Sequence, residues 1–495
     1  MKKNLFYITL FLSSNLFLSQ NINFADVNFK NALLSSQDVN GDGQISISEA
    51  QNTIAIFIDT NKNITNLGGI EFYPNLTILM IKNNPISAPL DLSQNVQLQN
   101  LRLGFGTAVT SANLTGLTQL KYLHIGVAPN TPLNVLNKPL LEEIVIEGTS
   151  TGGLSTIDVS QNPVLKKLWI NDNNLTSLNV TQNPVLEELV IQKITTIPTS
   201  ISTLDVTQNP ALKMLSITGH STIPTINVSA NLALERLFVG GTAITSLNLT
   251  NNTLLKFLDI SNNNFAGGIN VSNQPLLEEL HAPAAHLPSL DLSNNPNLQA
   301  LTITNNYIST INVSHLSQLY RFDGGNNLFT NIDLSNNPSL KYVNFLGNQQ
   351  MKYINLKNGF NQNIIWLTNS DYQFMPQLTG ICVDNPASTY GVKVKQAVGA
   401  NVLVTSNCSL LSTQENHLAI EKPMLFPIPT KDVLNIKTKE NLEEYSIFSL
   451  SGQKIQSGDF RNGERFVIVE NLLQGIYIIK IKTDRNSYTE KFTKK

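Results

Sequence analysis

Apolar positions along the chain fall into a repeating figure. Between Leu76 and Phe360, units open on Leu76, Leu98, Leu120, Leu141, Leu165, Leu186, Leu212, Leu234, Leu255, Leu277, Leu298, Leu319 and Leu340. The spacing is mostly 21 or 22 residues, stretched to 24 in the unit from Leu141 and 26 in the unit from Leu186. Each unit carries two apolar residues two positions apart, such as Leu168 and Ile170 or Leu258 and Ile260, which predicts a strand with one buried face. A second pattern, as in Leu290-Asp291-Leu292-Ser293-Asn294-Asn295-Pro296, supplies a second inward pair. So short a turn must fit a strand, two corners and a return leg. The return side is therefore predicted to carry short strands or 3₁₀ turns rather than long helices. No rung can bury its edge alone, so stability must come from stacked neighbours.

The unit Leu165-x-x-Leu168-x-Ile170-x-x-Asn173-x-Leu175 resembles the leucine-rich-repeat family position for position. The expected fold is mainly β: a leucine-rich-repeat solenoid of about 13 repeats over residues 56–360, with a small helical N-terminal cap and a C-terminal β-sandwich. Asn84, Asn173, Asn263, Asn306 and Asn327 should hydrogen-bond backbone groups where the chain leaves the strand. They would form a ladder broken at the units from Leu98, Leu186 and Leu277.

Composition changes this picture little. The 495 residues are 14% charged with a net charge of −2, which argues against a polyanion-binding surface and hence a nucleic-acid partner. Residues 1–19 read as a secretory signal, with Lys2 and Lys3 ahead of the apolar run Leu5 to Leu18. No later run is long enough for a transmembrane segment, and no cysteine near Ser19-Gln20 suggests a lipid anchor. In an exported chain the only two cysteines, Cys382 and Cys408, are expected to pair and staple a C-terminal cap over 361–408.

Within an N-terminal cap at 20–55, the stretch Asp38 to Glu49 (DVNGDGQISISE) resembles the twelve-residue EF-hand loop, also used in dockerin modules. The resemblance implies Ca²⁺ held by Asp38, Asn40 and Asp42 side chains, the Gln44 carbonyl, Ser46 directly or through water, and both Glu49 oxygens. Gly43 would allow the sharp turn, Ile45 would enter the core, and Phe24 to Leu34 would form the entering helix. A single loop suits structural calcium. The alternative is a metal-free acidic turn that caps the first rung.

After a polar linker at 409–423, residues 424–495 change to short alternating strands and lysines. Gly475-Ile476-Tyr477, the basic end Lys491 to Lys495 and Pro427-Ile428-Pro429 are the landmarks. This block resembles the type A sorting domain of type IX secretion, although the family's usual Pro-Asn-Pro is altered here. The resemblance implies a small β-sandwich read by the type IX secretion machinery, and hence a secreted or cell-surface protein exported through the periplasm. An adhesive Ig-like module is the alternative.

Solvent-facing columns on the repeat strands are the candidate ligand surface. One column alternates Glu143, Lys167, Glu188, which relieves like-charge repulsion between neighbouring rungs. Arg102, Tyr122, His124, Trp169, Arg236 and Phe238 form the candidate contact patch on the concave face, with Trp169 either exposed or covered by the two longer loops. Recurrent Glu142-Glu143, Glu187-Glu188 and Glu278-Glu279 are explained by the repeat rather than by catalysis, and no catalytic constellation is predicted. The expected function is non-enzymatic recognition or adhesion with a protein partner. A glycan ligand and a passive surface-coat role are the alternatives.

Overall fold

A computed structural model describes residues 20–104, 106–193, 201–359, 375–398, 400–411, 423–438, 440–449, 453–460, 463–484 and 487–495. The segment read as a signal and most of the linker lie outside them. The chain divides into two compact units, one up to Leu411 and one from Ser412 onward.

The first unit is a solenoid. Fourteen parallel strands, from Ala55–Ile58 and Ile78–Ile81 to Arg321–Asp323 and Tyr342–Asn344, form one sheet about 60 Å long at the usual strand spacing. The strand Ala55–Ile58 adds a rung ahead of the thirteen expected, paired in register from Ala55↔Ile78 to Ile58↔Ile81. The two longer units stay in phase with their neighbours, since Ile144 aligns with Leu168 and Leu189 with Leu215. Their extra residues are therefore confined to the loops. Alternate strand residues are buried in one cluster running from Ile22 to Val404. The return side carries no long helix among the described residues; its short strands include the pair Leu90–Asp91 and Ala112–Asn113.

Two ladders of polar side chains hold the corners. In the expected one, Asn84, Asn173, Asn263, Asn306 and Asn327 are buried and donate to backbone carbonyls, as Asn306 Nδ2 does to Ala282 O at 2.8 Å. The Asn306 Oδ1 accepts from Leu287 N of the preceding rung. Asn348 joins this ladder. Thr242 and His220 stand at the same position in their units. The residue just before is left-handed at Asn83, Asp172, Asn262, Asn305 and Asn326. Asparagine tolerates that conformation well, which explains the recurrent Asn-Asn pairs.

The second ladder, missed from sequence, is the Asn ahead of each Pro-type corner. Asn162, Asn183, Asn209, Asn231, Asn252, Asn295 and Asn337 are wholly buried, and each Nδ2 donates to two carbonyls of the preceding rung. Their Oδ1 atoms accept nothing. Gln274, Lys138, Leu117 and Leu316 occupy the same position in other rungs. Donors and apolar residues are tolerated there, and no carboxylate appears. The Lys138 Nζ donates to Leu136 O at 3.2 Å.

At the N-terminal end, α1 (Val27–Gln37) and α2 (Ile47–Asn52) close the stack. The helix expected from Phe24 begins instead at Val27, because Asp26 caps it by accepting from Asn28 N and Phe29 N. Phe29 is its buried anchor and Val27 faces solvent. The other Asp26 oxygen accepts from Thr65 N, Thr65 Oγ1 and Asn66 N, tying the cap to the first rungs.

At the other end, the segment read as a separate cap continues the stack. A four-stranded return-side sheet links Asn331–Asp333, Tyr353–Asn355, Gly380–Cys382 and Leu403–Thr405, with α3 (Thr389–Val398) between the last two. Cys382 and Cys408 form a disulfide, with Cα atoms 5.4 Å apart.

The second unit is a two-layer antiparallel β-sandwich. One sheet orders Met424–Phe426, Val433–Lys437 and Phe466–Ile468. The other orders Lys454–Asp459, Leu442–Ser449, Gly475–Thr483 and Ser487–Lys494. Leu434, Ile436, Ile447, Val467, Ile479, Ile481 and Phe492 form the core.

Candidate interaction surface

Strand alternation decides which side chains of the long sheet are available. In Arg236–Phe238 and Phe257–Asp259 the middle leucine is buried, leaving the flanking residues on the outer face. The predicted patch resolves into two groups separated by three strand spacings, about 14 Å.

The first group surrounds Trp169. Arg102 lies 3.5 Å from Glu143, donates from Nε to Asn100 Oδ1, and stands over the Tyr122 ring at 5.5 Å. Lys167 reaches Glu143 at 3.8 Å and places its ammonium 3.9 Å from the Trp169 ring centroid. His124 Nε2 meets Glu147 at 3.3 Å. Trp169 is half-buried between Val145 and Val190, and its Nε1 is buried without a hydrogen-bond partner. It is thus neither fully exposed nor fully covered. The alternating charges of this column are matched by a stricter run beside it, from Lys121 through Glu142, Lys166, Glu187, Lys213, Glu235 and Lys256 to Glu278. Within that run Lys166–Glu142, Lys213–Glu187 and Lys256–Glu235 pair at 2.7–2.8 Å.

The second group contains residues that sequence reasoning missed. Phe238 and Phe257 have centroids 4.4 Å apart, and Phe257 stacks on His281 at 5.1 Å. Phe257 belongs to the neighbouring column, and its contact with Phe238 is diagonal across adjacent strands. Reading each column separately hides it. Arg236 is exposed and holds its guanidinium 5.0 Å from the Phe257 ring and 5.5 Å from Phe238. Such centroid spacings are too short for rings lying side by side in one plane, so their faces meet. His281 also reaches Glu279 at 3.2 Å.

Residues 424–495 match the model of the secretion system C-terminal sorting domain. The protein is exported. Type IX secretion handles it and delivers it to the cell surface or the medium, and no helix among the described residues is long and apolar enough to cross a membrane. The chain is similar in fold to the functional domain of InlJ from Listeria monocytogenes, which includes a cysteine ladder. That match has 21% identity and a TM-score of 0.53, and covers 97% of this chain and 99% of the other. It is also similar to the internalin InlF of Listeria monocytogenes, with 19% identity, a TM-score of 0.54, and coverage of 65% of this chain and 96% of that one. These likenesses establish the leucine-rich-repeat fold. No curated protein matches the chain.

In the N-terminal loop, the residue types suit a hard cation: three carboxylates, an asparagine and a serine. Left-handed Gly41 and Gly43 make the turn, and Ile45 is buried. The oxygens, however, are engaged by the loop itself. Asp38 accepts from the amides of Gly41, Asp42 and Gly43, while Asp42 accepts from Gln44 N and Asn40 Nδ2. Glu49 accepts from Val39 and Asn40 amides and forms a reciprocal capping box with Ser46 at the start of α2. Burial works against the Glu49 charge, and the hydrogen bonds from Ser46, Val39 and Asn40 outweigh it, lowering its pKa. The Gln44 side chain accepts from Lys30. Among the described residues no three acidic, histidine or cysteine side chains converge as a metal site would require.

Proposed function

We propose that this protein is a non-enzymatic recognition or adhesion protein that binds a protein partner on the outer face of its long sheet, centred on Arg236, Phe238, Phe257 and His281. The observation that supports this reading is the exposed guanidinium held over two phenyl rings in contact. Aromatic and arginine anchors of this kind dominate protein interfaces. A glycan ligand is less favoured, because stacking on sugar needs free ring faces. Here Phe257 is sandwiched between Phe238 and His281, and Lys167 covers one face of Trp169.

The test is binding of the full-length purified chain to protein and glycan arrays, alongside Phe257→Ala and Arg236→Glu. A protein ligand weakened tenfold or more by either substitution, with an unchanged melting transition, supports the proposal. A glycan ligand would replace it, and a protein ligand indifferent to both variants would move the site elsewhere.

The Asp38 to Glu49 loop is proposed to take up structural calcium outside the cell, with Glu49 exchanging its amide partners for the ion. Millimolar Ca²⁺ should then raise the melting temperature relative to chelator, and Glu49→Gln should abolish that difference. An identical transition in both conditions makes the loop a metal-free cap.

A further inference from the structure

The two sheets of the C-terminal unit differ on their outward faces. Each sheet of a two-layer sandwich needs one apolar face for the shared core, and its other face is normally polar. The four-stranded sheet follows that rule over one part of its face only, since Phe448 and Ile478 and the exposed Ile455 and Ile476 share its other part. Glu444, Ser446, Lys480, Lys482, Thr489 and Lys491 point outward, and Lys482 pairs with Glu443 and Glu444.

The three-stranded sheet does not. Its inward residues Leu434, Ile436 and Val467 fill the core. Its outward residues are also apolar: Met424 (62% exposed), Phe426 (45%), Val433 (38%), Phe466 (39%) and Ile468 (51%). The register makes them one patch, since Val433 pairs with Ile468, Phe466 with Asn435, and Asn435 with Phe426. The Asn435 amide at its centre is occupied by Phe426 O. Lys437, opposite Met424, is the charged residue on this face.

We propose that this face is the surface by which the secretion machinery grips the tail. The machinery component that receives it would present an apolar surface with a carboxylate opposite Lys437. Three observations converge on that occupant. Residues 424–495 match a secretion sorting domain, so the unit's partner is the export apparatus. The apolar face is not needed for the core, which is complete beneath it. The unit carries twelve Lys and Arg against nine Asp and Glu in a chain whose net charge is −2, which favours an acidic rim on the partner. Contiguous exposed apolar surface of this kind marks an interaction site. The proposal is independent of what the solenoid binds.

The experiment expresses the full chain in a bacterium with type IX secretion and compares it with Phe466→Thr/Ile468→Thr. Threonine keeps strand propensity while removing apolar surface. The amount at the surface or in the medium is measured by protease accessibility of intact cells and by assay of the supernatant. The double variant should fall at least tenfold in exported material and accumulate in the periplasm, with the melting transition of the purified protein unchanged. Lys480→Ser/Thr489→Ala, on the opposite sheet, should export normally. Should the double variant fail to fold, Ile468→Thr alone, at an edge strand, carries the same comparison. Export of a folded variant at the unsubstituted level overturns the proposal. So does a concentration-dependent dimer of the unsubstituted chain that the variant loses while still being exported, because the face would then join two copies.

Discussion

Asn231 offers a direct test of what holds the rungs together. Its wholly buried Nδ2 donates to Val206 O at 2.9 Å and Asn209 O at 2.8 Å, and its Oδ1 accepts nothing. Those carbonyls also accept from Asn209 N and Leu212 N, so Asn231→Ala removes two hydrogen bonds without orphaning either. At about 1 kcal/mol per bond plus a small cavity, the expected loss is about 2–3 kcal/mol. Asn231→Asp keeps the shape but turns the donor end into an acceptor facing two carbonyl oxygens. At pH 7 that buried, unpaired charge should cost about 3–5 kcal/mol. Burial raises the folded-state pKa of the new carboxyl above its unfolded value, so the folded state binds the extra proton. The deficit of the Asp variant should therefore shrink as pH falls from 7 towards 4, where the protonated acid regains one donor. The assay is urea unfolding of both variants at pH 7 and pH 4.5, with amide exchange across 201–260 to locate the opening, since stacked repeats lose stability locally. An Asp variant no less stable than the Ala variant at pH 7, or one whose deficit grows on acidification, would refute the donor requirement.

Two further outcomes are expected. His220 is buried, with Nδ1 accepting from Ile201 N; burial, with the Lys193 charge nearby, pushes its pKa down to about 4. The unfolded chain therefore takes up the proton first. Stability is complete above the unfolded value near 6.5 and falls as pH drops towards 4, by about 2 kcal/mol between pH 7 and 4.5. Replacing His220 with Asn, the residue used at this position in other rungs, should flatten that dependence in thermal melts. Cys382 and Cys408 close a 26-residue interval, so their joint replacement by Ser should cost about 3 kcal/mol, seen as early exchange of the strands Gly380–Cys382 and Leu403–Thr405. Unchanged protection there would show that packing alone holds the end.

Much of the solenoid was legible in the chain because its geometry is one-dimensional. A period near 21 residues places each Leu168-type position over the next, and the inward pairs, the first asparagine ladder and the short return strands follow from that stacking. The second ladder was less visible. Its asparagines look like ordinary corner residues until their amides are seen to cross to the preceding rung, and Lys138 and Gln274 disguise the column. The rung at Ala55–Ile58 was hidden because it lacks the leading leucine.

Local sequence determined which residues form each strand, which side of it is buried and which corner turns left-handed. These depend on alternation, period and backbone preference within one repeat. Tertiary structure alone decided how neighbouring columns combine. It joined Phe238 to Phe257 and His281, separated that group from Trp169, and set the Asp38 to Glu49 oxygens against their own loop amides. It also revealed that one sheet of the sorting unit is apolar on both faces. The physical reason is the same in each case. A diagonal contact, a hydrogen-bond partner or an uncovered face depends on distances between rungs or layers, and a one-dimensional pattern does not contain them.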